Sequence, residues 1–118
     1  MMRLFLFDTF DMMRRFMRDF FVEKGHEVVE AGDFTIAMEA INKMEYDFII
    51  SCLSHGGGDF FKEAATMGLA NKFVFLTATP LKTTYFMEGQ RPLMILDKED
   101  LDLAKLLAEL EKFKNSQN

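Results

Sequence analysis

The chain has one cysteine, no tryptophan and no long apolar run. A single cysteine, Cys52, excludes an internal disulfide and suits a reducing compartment. The first apolar stretch, Leu4–Phe7, stops at Asp8 and is too short for a signal-peptide core or a membrane span. We therefore expect a cytoplasmic protein that does not insert into a membrane.

Positive charge is also scarce. The sequence has 14 Lys and Arg residues against 19 Asp and Glu residues, which gives a formal net charge of −5. Direct binding to nucleic acid is not expected, because neutralising phosphates needs a basic surface. The only basic cluster is Arg14, Arg15 and Arg18. We interpret it as the solvated face of a helix, with a site for an acidic protein partner as the alternative.

Phenylalanine and methionine are abundant, with 14 and 10 copies among 118 residues. A Met-rich surface can bind many partners, but we interpret these side chains mainly as core, since one domain of this length can bury a single core. The helix predicted over residues 11–24 is expected to bury one apolar stripe. Its members are Met12, Met13, Phe16, Met17, Phe20 and Phe21.

Short apolar runs alternate with helical patterns along the whole sequence. The strands are predicted at 4–7, 26–30, 46–53, 72–77 and 93–96. Helices are predicted over 11–24, from Asp33 to Met44, through Ala65 after a glycine-rich loop (54–59), over 80–89, and from Asp97 to Phe113. Strict alternation favours a three-layer α/β sandwich with a five-stranded parallel sheet and five helices, the fourth of them short. We expect one domain over 1–114 and a frayed tail over 115–118.

In such sheets a ligand site lies beyond the carboxyl ends of the strands, where the strand order switches. The residues at those ends are therefore the candidate site residues. They are Asp8, Thr9, Cys52, Thr77, Ala78, Asp97 and Lys98.

Four segments at these positions resemble the CheY-like receiver domains of two-component response regulators. The segments are LFLFDTFDMMRRFMR (4–18), FIISCLSHGGGD (48–59), FVFLTA (73–78) and Lys98. Their order and spacing carry the resemblance, which covers nearly the whole chain. It implies a flavodoxin-like sheet of order 2-1-3-4-5 and a role in phosphorelay signal transduction. The implied partners are signalling proteins, such as a histidine kinase or an output domain.

The sequence departs from the receiver pattern where the chemistry is done. Receivers hold Mg²⁺ with two acids after the first strand, and an aspartate after the third strand accepts the phosphoryl group. Here Asp8 matches the first acid, but Thr9 replaces the second and Cys52 stands at the acceptor position. A thiol cannot form an acyl phosphate, and soft sulfur is a poor ligand for Mg²⁺. Thr77 and Lys98 match the residues that contact the phosphate in receivers.

The resemblance therefore implies a degenerate phospho-acceptor pocket: Asp8, Thr9, Cys52, Thr77 and Lys98. We expect no catalytic residue, no enzyme activity, no bound metal and no cofactor. The expected function is a phosphorylation-independent module for protein–protein interaction. With no Mg²⁺ and no acceptor acid to compete for them, a further hypothesis is that Asp8 and Lys98 form an internal ion pair.

Other interpretations stay open for the same residues. The chain could be a redox- or phosphoryl-responsive regulator that uses Cys52, if Lys98 stabilised the Cys52 thiolate. An inert, packed thiol is the plainer interpretation of this residue. Cys52 and His55 have the spacing of metal ligands but lack further partners. The glycines at 56–58 could form an anion-binding nest instead of a simple loop. A small flavodoxin-like ligand-binding domain is the weakest alternative.

Overall fold

The computed structural model describes residues 1–78 and 90–117, which contain five β-strands and four α-helices. The strands are β1 (Arg3–Phe7), β2 (Glu27–Ala31), β3 (Phe48–Cys52), β4 (Phe73–Thr77) and β5 (Met94–Asp97). The α-helices are α1 (Asp11–Glu23), α2 (Phe34–Ile41), α3 (Gly57–Thr66) and α4 (Leu103–Ser116). Two 3₁₀ helices cover Ala70–Lys72 and Lys98–Asp100. The helix predicted over 80–89 lies outside the described residues.

The strands form one parallel sheet of order β2-β1-β3-β4-β5. This confirms the predicted CheY-like sheet. The chain leaves β1 for β2 on one side and returns to β3 on the other, so the order switches between β1 and β3. Among the helices described, none has the length and apolar character needed to span a membrane.

Helix boundaries follow local capping. Asp33 accepts a hydrogen bond from the Ile36 N–H at 2.8 Å and caps α2 as predicted. The final helix does not begin at Asp97, as the acids there had indicated. Asp97 instead caps the 3₁₀ helix, and Asp102 caps α4 by accepting from the Lys105 N–H. A side-chain cap satisfies an otherwise unpaired backbone donor at each of these starts.

The two faces of the sheet have different cores, because side chains alternate along each strand. In β1, Phe5 and Phe7 point to the face covered by α2 and α3, while Leu4 and Leu6 point to the face covered by α1 and α4. The first face is rich in aromatic rings, joined by edge contacts such as that between Phe7 and Phe60 at 5.2 Å. The second face is mainly aliphatic.

The prediction that α1 buries its whole apolar stripe is wrong. Met17 and Phe21 are buried, but Met12 is 86% exposed and Phe16 is 62% exposed. The apolar arc of α1 is wider than the surface available to cover it. A charged residue, Arg14, takes the remaining buried position on the helix, so the predicted solvation of the arginine cluster is also wrong for this residue.

Candidate functional site

The register of the sheet brings the predicted site residues to one end. Phe7 of β1 is the register partner of Ser51 on β3, and Cys52 of β3 is the register partner of Leu76 on β4. Thr77 of β4 is the register partner of Asp97 on β5, and Asp97 precedes Lys98. The residues that end β1, β3, β4 and β5 therefore lie at the carboxyl end of the sheet, as the sequence predicts.

Asp8 is the most deeply buried acid of this group, with 1% of its surface exposed. Its Oδ1 accepts a hydrogen bond from the Phe10 N–H at 2.8 Å, which tightens the turn into α1. Its Oδ2 has no hydrogen-bond partner among the described residues. A buried carboxylate oxygen without a donor is costly, so some nearby charge must stabilise it.

Lys98 supplies that charge. Its Nζ lies 3.6 Å from Asp8 Oδ2, which is an ion-pair distance but too long for a good hydrogen bond. The same Nζ lies 5.2 Å from the centre of the Phe10 ring, where a cation is attracted by the ring face. The internal ion pair predicted from the sequence is therefore present, with Phe10 as an additional partner.

Cys52 ends β3 beside this pair and is buried. Its thiol donates to the Ser54 carbonyl oxygen at 3.3 Å. Burial raises the pKa of Cys52, and so does the charge of Asp8, against the smaller opposing effects of the Thr9 backbone and Lys98. The thiol form therefore predominates, and Lys98 does not make Cys52 a reactive thiolate.

The remaining predicted residues lie at the same end of the sheet. Thr9 is partly exposed in the turn after β1, and Thr77 is buried at the last position of β4. The structure thus places both hydroxyl groups near the strand ends that carry Asp8 and Cys52. Their roles toward a phosphate stay predictions.

The donor set does not fit the Mg²⁺ ion that receivers hold. Asp8 Oδ2 is one hard oxygen that lacks a donor, but Mg²⁺ requires several oxygen ligands in an octahedron. The neighbouring Cys52 offers sulfur, and Lys98 already lies beside the carboxylate. Across residues 1–78 and 90–117, no three His, Cys, Asp or Glu residues are grouped so that they could hold a metal ion.

Arg14 is a site residue that the sequence interpretation missed. Its Nη1 donates to the Asp8 carbonyl oxygen at 2.8 Å, and its Nε donates to Glu30 Oε1 at 3.0 Å. Burial alone would raise the pKa of Glu30, but hydrogen bonds from Arg14 and Arg18 outweigh it and hold that pKa below its usual value. Arg14 thus ties the turn after β1 to β2. Arg14 shares a face of α1 with Met17 and Phe21, which are both buried. Its spacing from these residues in the sequence could therefore have predicted that Arg14 is buried.

The glycine-rich segment begins a helix instead of forming a loop through Asp59. Gly56 has a φ of +99°, and α3 starts at Gly57. A Cβ atom at Gly57 would lie 1.6 Å from the Cys52 carbonyl oxygen, a distance at which atoms overlap. Glycine therefore allows the start of α3 to pass directly against the end of β3.

Comparison with known proteins supports the fold. No protein-family model matches the sequence, and no curated protein matches it. Solved receiver structures do match it, and three of them illustrate the similarity. The receiver domain of Francisella response regulator 1452 has 18% identity and a TM-score of 0.82, with each chain covered completely. CheY4 of Vibrio cholerae has 22% identity and a TM-score of 0.80, covering 95% of this chain and 98% of its own.

A CheY-like receiver domain from Methanospirillum hungatei JF-1 has 14% identity and a TM-score of 0.85, covering 99% of this chain and 96% of its own. All three are known by name as response regulators or receiver domains. Identities this low establish the shared fold. The chain therefore has the fold of a response regulator receiver domain.

Proposed function

We propose that this chain is an atypical receiver domain that acts in signal transduction by binding protein partners independently of phosphorylation. The observation that carries the proposal is the position of Cys52. It ends β3 beside a single buried carboxylate, Asp8, whose charge is already balanced by Lys98. The full-length structural match to receivers supports the signalling role.

Phosphoryl transfer depends on positioning and on neutralising negative charge. The receivers that this sequence resembles use Mg²⁺ and a lysine to neutralise this negative charge. In this chain the lysine is present, but the metal ligands and the acceptor carboxylate are reduced to Asp8. The pocket therefore keeps a fixed internal charge pair in place of a switchable one, and neither enzyme activity nor a cofactor is part of the proposed function.

A regulator that uses the Cys52 thiol is the second candidate, and the structure gives it less support. A redox sensor needs an accessible thiolate with a low pKa. Cys52 is buried, its pKa is raised by burial and by Asp8, and its thiol donates to a backbone carbonyl. These features are typical of a packed, unreactive cysteine.

The direct test is incubation with acetyl phosphate and Mg²⁺, followed by intact-mass measurement. We expect no added phosphate in the wild-type chain. A double variant, Thr9→Asp with Cys52→Asp, restores the two missing carboxylates and serves as the positive control. An added phosphate on an Asp residue of the wild-type chain would refute the proposal. A phosphate lost in Cys52→Ala would refute it too and would support the alternative.

A further inference from the structure

A small cleft lies between β5 and α4, on the opposite side of the sheet from the aromatic core. Its volume is about 220 Å³, which is below the roughly 300–1,000 Å³ of typical small-molecule pockets. Its floor is apolar and consists of Met94, Leu96, Leu101 and Leu106. We call this cleft the β5–α4 groove.

The floor of the groove is less covered than the neighbouring strand. Every residue of β4 is buried, whereas every residue of β5 is only partly buried. Within the described residues β5 is the last strand of the sheet and pairs only with β4. Met94 and Leu96 therefore offer apolar surface that the described part of the chain does not fully cover, with room for a few side chains of a partner.

The rim of the groove is acidic. It carries four acids, Asp97, Asp100, Asp102 and Glu109, against one base, Lys105. Four negative charges and one positive charge give −3, out of −5 for the whole chain. The groove thus concentrates much of the excess negative charge next to an apolar floor.

Local contacts do not remove this charge. Asp97 and Asp102 accept hydrogen bonds from backbone N–H groups at helix starts, which leaves their charge in place. Glu109 lies 3.6 Å from Lys112, but both side chains are largely exposed, and such surface pairs are weak. Asp100 forms no ion pair with the part of the chain that the structure describes.

We infer that the β5–α4 groove binds a basic amphipathic segment of a partner protein. Apolar side chains of the segment pack on the floor, and its Lys or Arg residues face the acidic rim. This arrangement of an apolar centre and a polar rim is usual for protein interfaces, and an amphipathic helix laid in a groove is a common mode of peptide recognition. The inference rests on the proposed function, and it specifies the chemistry of the partner.

The test uses a labelled peptide of about 15 residues made only of Leu and Lys, with Leu at helical spacing. Its affinity for the purified chain is measured by fluorescence anisotropy. Two further peptides separate the contributions, one with Glu in place of Lys and one with Ala in place of Leu. We expect binding of the Leu–Lys peptide and at least tenfold weaker binding of both others.

A pair of charge-reversed variants locates the site on the protein. The groove variant is Asp100→Lys with Glu109→Lys, at two exposed rim positions that cap no helix. The control is Glu39→Lys with Glu63→Lys, on the helices of the opposite face, and it changes the net charge equally. We expect about a tenfold loss of affinity in the groove variant, as two weak surface charges together supply, and less than threefold in the control.

Equal losses in both variants would overturn the inference, because the attraction would then be that of net charge alone. Binding of the Leu–Glu peptide as tightly as the Leu–Lys peptide would also overturn it. So would a dimer of this chain that the groove variant dissociates, since the occupant would be a second copy. These measurements contain no phosphodonor, so a failure here is distinct from a failure in the phosphorylation test.

Discussion

Two aspartates lie at opposite ends of the sheet and are held in different ways. Asp47, just before β3, accepts hydrogen bonds from the Arg3 N–H at 2.8 Å and from the Lys114 ammonium. Asp8, just after β1, has one oxygen bonded to a backbone N–H and another that no described group donates to. Its ion-pair partner, Lys98, stays 3.6 Å away.

This difference distinguishes the amino end of the sheet, where charged contacts stabilise the fold, from the carboxyl end, which is the candidate functional site. At the amino end of the sheet the charges meet at hydrogen-bond distance, and Arg3 also bonds Glu27 at 2.8 Å. Such contacts stabilise the fold. At the carboxyl end a carboxylate is buried with incomplete hydrogen bonding, which contributes little to the stability of the fold. The proposed function accounts for this difference, because a pocket that is not phosphorylated can hold a fixed ion pair between Asp8 and Lys98.

The largest effect is expected from Gly57, at the carboxyl end. In Gly57→Ala the new Cβ would overlap the Cys52 carbonyl oxygen at 1.6 Å, so α3 or the end of β3 must move. We expect a loss of about 3 kcal/mol in the free energy of unfolding, measured in urea. This would show that backbone packing, and not the charges of the pocket, stabilises this end.

Gly58→Ala is the matched control. A Cβ there would lie 3.8 Å from the Leu53 carbonyl oxygen, an ordinary contact. Replacing a helical glycine by alanine is expected to leave stability unchanged or to raise it by about 0.5 kcal/mol. If both variants lost the same stability, the close approach at Gly57 would not be the cause.

The two aspartates themselves give the next largest effect. Asp47→Asn removes the charged hydrogen bond with Lys114 and should cost about 2 kcal/mol. Asp8→Asn keeps an acceptor for the Phe10 N–H and replaces an oxygen that receives no hydrogen bond. Lys98 keeps its contact with Phe10 and remains partly exposed, so we expect a change below about 1 kcal/mol. Urea unfolding at neutral pH measures both.

The pH dependence of these variants provides an internal check. Burial would raise the pKa of Asp47, but the hydrogen bonds from Lys114 and Arg3 outweigh it and hold that pKa below its usual value. Stabilisation by such a group is present above its unfolded pKa of about 3.9 and is lost as pH falls through the folded pKa. The stability difference between wild type and Asp47→Asn should therefore shrink below about pH 4. A constant difference would contradict this account.

The smallest effect is a difference in thiol reactivity at Cys52. Because burial and Asp8 raise its pKa, alkylation by iodoacetamide should be slow in the folded chain. Its rate should rise with a midpoint above the ordinary thiol value of about 8.5. The urea-unfolded chain is the control and should show the ordinary value. A midpoint below 8.5 in the folded chain would favour the redox interpretation of Cys52.

The sequence predicts the sheet well because each strand is a short apolar run, and the alternation of strands and helices limits the topology. It also places Asp8, Cys52, Thr77 and Lys98 at one end, since parallel strands share their carboxyl ends. The resemblance to receivers then attaches a meaning to each position.

The predicted start of the final helix fails through local capping, since Asp102 and not Asp97 caps α4. The other failures involve packing between elements. Arg14 appeared to be a solvated residue because its partner Glu30 lies on β2. The apolar arc of α1 predicts that Met12 and Phe16 belong to the core. The sequence does not show how much of that arc the rest of the fold can cover. Gly57 appeared to be a loop residue by composition, whereas packing against Cys52 places it in a helix. Local propensity does not contain this information.

We propose that the internal pair of Asp8 and Lys98 takes the place of the metal-dependent site of a receiver. Titration of the ¹⁵N-labelled chain with Mg²⁺, followed through the backbone amides of Asp8, Thr9 and Cys52, tests it most directly. We predict no saturable shifts in the wild type and clear ones in the Thr9→Asp, Cys52→Asp double variant. Saturable Mg²⁺-dependent shifts at these amides in the wild type would contradict the account.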